Sequence, residues 1–562
     1  MDYSYIRIRK LIVVCGLLGV ACTSQAAPLS LPSGSLTVSS DTTYEGGIIG
    51  TSGAPTLTID GGITATFAAG STLLYGTGGR WNLRGAGTFL NQGTLAYSNE
   101  LNVGLSWQSS SATFINEGVF DFVGDSVSGN NGGLYFYDAG QGAFINSNGT
   151  IQASSGNTHN IGQNGGFMAS YGGTIRVTNS SGIKFDQNDY YLTNVTFETY
   201  GSGTIRLRKS PTLVHGTAVG APLRIDSVVF STDSSGTILE VGGEGIQFGS
   251  GTTSYSWTLT GGTVMENKGV WTFIGSGGAQ HQSHGSGMFL NSGTVYQFNT
   301  STVGIRPYGG SDFQNSGTWV ISNSYWYCGN AGSTFENLAG GMFINYGSSY
   351  YYKFAGDFRN QGTIESRSGT MNFNDSATAI NSNTMAGGVL MEGTWKAIGG
   401  NINFGFTTTD ITTINTNASA ILGGTSTIDE LDVNGAGLSA LYGTLGLWSG
   451  KVYSNAPALT TDASTRLSFG LDNTATNAML ILGDDTTLQA AIDVVDVGAL
   501  GKGDFTVVKM APGKTLVDGG IVPGTVTSDN ELFVQVVVTA GMDGTVVLKV
   551  RPPATGTVFS FQ

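Results

Sequence analysis

Few side chains in this 562-residue chain are of a type that could do chemistry. They are four histidines, one cysteine beyond the first 27 residues, and a handful of short acidic runs. His281 and His284 sit in "GSGGAQHQSHGSG", a loop by composition. Two imidazoles so spaced could join a metal site, but no third ligand accompanies them, so the sequence calls for no metal and no cofactor. Asp429, Glu430 and Asp432 fall in "STIDELDVNG", where alternation puts two acids on one strand face. Paired carboxylates of that kind serve acid–base work or Ca²⁺ in β-sheet enzymes acting on polysaccharides. Asp484-Asp485, and Lys184 with Asp186 and Asp189, are further candidates. In an acidic protein such short clusters read as solvated charge. His159 and His215 stand alone, and the Gly-rich stretches lack the Lys of a phosphate loop.

Aromatic side chains offer a second kind of chemistry. "SYWYCG" carries Tyr325, Trp326 and Tyr327, and "SYYYKF" carries Tyr350, Tyr351 and Tyr352, 25 residues later. Rings repeated at that interval would lie side by side if the chain returns to the same place once per interval. Outward rows of rings bind sugars or proteins through their flat apolar faces. Rings stacked on one another inside the protein are the competing reading.

The chain does return. "FLNQGTLAY" from Phe89 is followed by "FINEGVFDF", "FINSNGTIQ", "FLNSGTVYQF", "FQNSGTWVI" and "FRNQGTIES". The shared Asn and Gly are Asn91 with Gly93, Asn116 with Gly118, Asn146 with Gly149, Asn291 with Gly293, Asn315 with Gly317, and Asn360 with Gly362. Short alternating runs rich in β-branched and aromatic residues lie between Gly and Asn punctuation, which predicts strands. A period of 22–25 residues is too short for a propeller blade and suits three short strands joined by turns. The expected fold is all-β: a right-handed, single-stranded parallel β-helix over residues 28–455. Its coils would stack at about 4.8 Å, each burying its inward face against its neighbours. The Phe and the apolar residue after Gly should point inward. The Gly should supply positive φ at the corner, Asn should tolerate the same region, and the Asn amides should stack as a ladder. Longer spacings across 150–262 should mark irregular coils. Beyond 456 the phrase stops. Val534 to Val538 and Val546 to Val550 read as antiparallel strands turning at Met542-Asp543-Gly544, so 456–562 is expected to be a β cap that covers the open end.

Composition narrows the partners. Charged residues are 11 % and the formal net charge is −14. Without Asp2, Arg7, Arg9 and Lys10, 21 bases face 37 acids. That balance argues against nucleic acid, which needs clustered Lys and Arg. Residues 1–27 have a basic start, an apolar run from Leu11 to Ala21 and small residues after it, the layout of a secretory signal peptide cut after Ala26 or Ala27. Lipidation at Cys22 is the alternative. Cys328 is the one thiol certain to remain, so no internal disulfide is expected. No other apolar segment approaches membrane-spanning length.

From Phe89 to about Trp395, together with the leader, this pattern resembles the passenger regions of bacterial type V secreted proteins. These include autotransporter-associated β-strand repeat proteins and filamentous-haemagglutinin-like adhesins. "GALGKGDFTVVKM" resembles the segment that ends many such passengers. The resemblance implies an exported β-helix, secreted or at the cell surface, in contact with surface glycans or with host and matrix proteins. It departs from the family where the membrane β-barrel would stand, because residues 456–562 are too few to build one. The expectation is a non-catalytic adhesin-like or structural protein. The alternatives are a β-helix polysaccharide lyase or glycoside hydrolase, and a carbohydrate-binding rod without catalysis.

Overall fold

The computed structural model describes residues 26–551, apart from 51–52, 76–80, 98–104, 108–110, 125–132, 136–141, 162–166, 186–189, 209–211, 222, 231–237, 249–254, 260–263, 276–280, 300–304, 308–309, 323–326, 329–332, 348–349, 352, 355–356, 374–378, 381–382, 405–409, 429–430, 432–436, 474–476, 499 and 530–531. Every named element is a strand, and the chain winds as a parallel β-helix. Residues 1–25 lie outside the described residues, and the first strand is Ala27–Leu31.

The winding follows from the phrase. Thr88–Asn91 pairs in parallel with Thr113–Asn116, which pairs with Ala143–Ser147 one coil further on. Phe89, Phe114 and Phe144 thereby fall in one column, and Asn91, Asn116 and Asn146 in another. Beyond the corner, Thr94–Tyr97, Val119–Phe122 and Thr150–Ala153 pair likewise. Alternation sends every second side chain inward. Phe89, Leu95, Phe114, Phe120, Phe144 and Ile151 are buried in one continuous core. Phe89 and Phe114 lie 5.1 Å apart, Phe114 and Phe144 5.2 Å, in offset arrangements that favour ring pairs.

The expected Asn ladder forms inside the corner. Asn91 Nδ2 donates to Asn116 Oδ1 and Asn116 Nδ2 to Asn146 Oδ1, both at 2.7 Å. A second ladder runs from Asn267 through Asn291, Asn315 and Asn337 to Asn360 at 2.7–2.8 Å. All but Asn146, which donates to Gly149 O of its own corner, also donate to a backbone carbonyl of the next coil, as Asn291 does to Thr318 and Asn315 to Met342. All eight side chains are fully buried. Burying an amide costs free energy unless its bonds are made, and stacking makes them.

The corner Gly plays a different part from the one expected. Gly93, Gly118, Gly149, Gly293, Gly317 and Gly362 do not have positive φ, nor do the ladder asparagines. They are needed for space. A Cβ on Gly118 would stand 2.1 Å from Gly93 O, one on Gly293 2.3 Å from Gly269 O, and one on Gly317 2.1 Å from Gly293 O. The corners of successive coils touch backbone to backbone.

The irregular stretch falls between the two ladders. Ser170 and then Leu192 occupy the Asn position. Leu223–Phe230 is shared between two strands. Leu223–Ile225 pairs with Ile246–Phe248, and Val228–Phe230 with Trp257–Leu259. The sheet face that carried Ile183 and Ile205 thus continues into Trp271 and Val295, directly after the Gly corner of the second half.

The winding outlasts the phrase. Arg466–Asp472 pairs in parallel with Thr486–Gly498, which pairs with Thr515–Thr527, so coils continue well beyond 456. The antiparallel part holds the two strands read from the sequence and one more. Phe533–Thr539 pairs with Thr545–Arg551 as read, with Asp543 left-handed at the turn, and Gly503–Met510 pairs antiparallel to the latter.

Candidate functional site

Among the described residues the chemistry-bearing side chains do not converge. His281 and His284 lie on a strand, His281–Gly285, rather than in a loop. His159 is buried, stacked on Phe122 at 4.7 Å and hydrogen-bonded to Ser155 Oγ, which makes it a core residue. His215 pairs with Glu240 in the ladder. Asp429, Glu430, Asp432, Asp186 and Asp189 lie outside the described residues, while Lys184 stands in register between Asn160 and Arg206. Asp484 accepts a bond from Lys514 Nζ at 2.7 Å, and that bond holds its carboxyl below the usual range. Asp485 accepts from the Thr515 amide. These two acids fasten one coil to the next. Among the described residues no three His, Cys, Asp or Glu come together as a metal-holding group. No described helix is long and apolar enough to cross a membrane.

Of the aromatic stretch, Tyr325, Trp326 and Tyr352 lie outside the described residues, and only the backbones of Tyr327, Tyr350 and Tyr351 are described. Tyr327 pairs with Lys353 and Cys328 with Phe354, one residue beyond the 25-residue interval. Tyr350 and Tyr351 pair with Met371 and Asn372.

Outward charges form ladders of their own. Gln152 Nε2 donates to Asp121 at 2.9 Å, and Arg176 bridges Gln152 to Glu198 at 3.4 and 2.6 Å. Burial nevertheless pushes Asp121 up from the ordinary carboxylate range. Gln314, Glu336, Arg359 and Glu392 repeat the device. Glu365, almost fully covered, takes Arg367 and Lys396, whose cations lie over Tyr346 and Trp448. Each ladder pairs its charges internally, so these acids and bases brace neighbouring coils.

One outward group is different in kind. Phe167, Tyr171 and Tyr191 are 39 %, 46 % and 41 % exposed. Phe167 and Tyr171 lie at the two ends of strand Phe167–Tyr171, and Tyr191 pairs with Ala169 between them on the next coil. The Phe167 and Tyr191 rings are 5.6 Å apart and tilted by 31°. Burial, and then the neighbouring Tyr191, push the Tyr171 hydroxyl up from its ordinary value. Isolated exposed rings are ordinary, whereas three on one patch mark a contact surface. Sequence reading missed this group because its rings belong to two different phrases, "FMASYGG" and "YYLTN". A smaller pair, Tyr296 and Phe298, stacks at 5.4 Å on Thr294–Asn299. The chain matches no protein-family model, and no curated protein matches it.

Proposed function

We propose that the chain is an exported, non-catalytic β-helix protein, secreted or held at the bacterial surface, with an adhesive or structural role. The observation that carries this reading is the exposed ring group Phe167, Tyr171 and Tyr191 on paired outer strands. Rings carried on paired strands lose little freedom on binding, and their area does most of the work at a contact surface. The repeat phrase and leader-like start, which resemble type V passengers, agree with a rod that works outside the cell.

The test is binding without turnover. Purified mature chain is applied to an array of glycans and matrix proteins, and the bound polysaccharides are assayed for new chain ends. Retention of at least one ligand class with every chain intact is the expected result. Cleavage, by hydrolysis or by elimination, would replace this reading with a β-helix carbohydrate-active enzyme.

A further inference from the structure

The ring group ends a longer stripe. Register carries Tyr191 back through Ala169, Ile145 and Ile115 to Leu90, one residue per coil on the outer face. Leu90, Ile115 and Ile145 are half-buried between their neighbours, and Ala169 is covered by the rings around it. At about 4.8 Å per coil the stripe is about 19 Å long. Its described borders are mostly polar and carry little charge. Thr88 and Thr113 lie on one side, two positions earlier in their strands, and Gln92, Glu117, Ser147 and Thr193 on the other. Among the described border residues Glu117 is the one charge, and it is engaged by Gln92 Nε2 at 3.0 Å; Asp189, two positions before Tyr191 in the sequence, lies outside the described residues. Among the described residues of either border none is Lys or Arg.

We propose that this stripe binds an extended, neutral, β-linked glycan lying along the coil axis. Such a chain is a ribbon with apolar C–H faces and hydroxyl edges. The stripe presents the complement: an apolar floor ending in tilted rings, with hydroxyl and amide borders at one step per coil. Aromatic faces take sugar C–H faces, and borders of Thr, Ser and Gln exchange hydrogen bonds with equatorial hydroxyls. Anionic glycans are disfavoured, because the nearest border charge is a carboxylate and the whole chain carries −14. This deepens the adhesive reading and rests on it.

The experiment titrates mature chain with a β-1,4-linked glucose hexamer and, separately, with a galacturonate hexamer, by calorimetry. The glucose hexamer is expected to bind and the galacturonate hexamer not. The Phe167→Ala/Tyr191→Ala double variant should weaken binding at least tenfold, with circular dichroism and Tm unchanged, because both rings are surface groups. Ile145→Thr, which keeps the β-branch and removes apolar area, should weaken it in the same direction, and Val452→Ala on a distant strand should not. Equal affinity of wild type and double variant, binding of the galacturonate hexamer alone, or no binding of the glucose hexamer would each overturn the site. If array binding survives in the double variant, the site falls while the adhesive reading stands. If the hexamer is cleaved, the adhesive reading falls.

Discussion

At the scale of the residue, the ladder asparagines are polar groups placed where a core would ordinarily be apolar. Within each ladder the amide-to-amide bonds are made only because the next coil carries the same residue, while backbone carbonyls take the remaining donors. Asn91, the first of its ladder, shows the limit: it stands in register with Phe67, and its Oδ1 accepts no hydrogen bond. Asn116→Ala removes one rung and orphans two groups, the Asn91 Nδ2 hydrogen aimed at Asn116 and the Asn146 Oδ1 acceptor. An unmet buried partner costs about 1–3 kcal/mol. With two groups orphaned, the variant should therefore lose about 2–6 kcal/mol in urea unfolding. An unchanged midpoint would show that the ladder contributes nothing net.

At the scale of the element, the coil-to-coil contact at the corner sets which residues fit. Gly118→Ala drives a Cβ to 2.1 Å from the Gly93 carbonyl oxygen, where backbone cannot easily move. A loss of about 2 kcal/mol or more is expected, in line with overpacking elsewhere. Gly242 has open space and an ordinary φ, so Gly242→Ala should change stability by less than about 0.5 kcal/mol. Equal losses in the two variants would mean that flexibility, not space, is why glycine occupies the corner. Register is also decided at this scale. Tyr327 meets Lys353 instead of Tyr352, and a slip of one residue moves every side chain of a strand to the other face. Counting 25 residues in the sequence could not foresee that slip.

At the scale of the molecule, stability should follow the ladders. Coils from Phe289 to Asn360 share a continuous Asn ladder and a stacked aromatic column, while Leu223–Phe248 contains the handover between sheet faces. Repeat proteins are held by contacts between neighbouring units, so a weak interface opens first. Hydrogen exchange read by mass spectrometry should show amides of Leu223–Phe248 exchanging faster than those of Phe289–Asn360. Uniform protection along the rod would contradict this account.

The sequence alone determined the winding. A phrase that returns every 22–25 residues with Phe, Asn and Gly in fixed order has one economical solution: coils that lay like residue on like. Its inward Phe column and Asn ladder follow from alternation and from the cost of burying an unpaired amide. Where the phrase was absent, the sequence misled, since the parallel winding continues past residue 456 on backbone pairing that needs no motif. The reason for the corner Gly, the register at Tyr327 and the ring patch at Phe167, Tyr171 and Tyr191 were settled only in three dimensions. Each depends on which residues of separate coils become neighbours, and a change of one residue in loop length alters that without leaving a mark on the strands themselves.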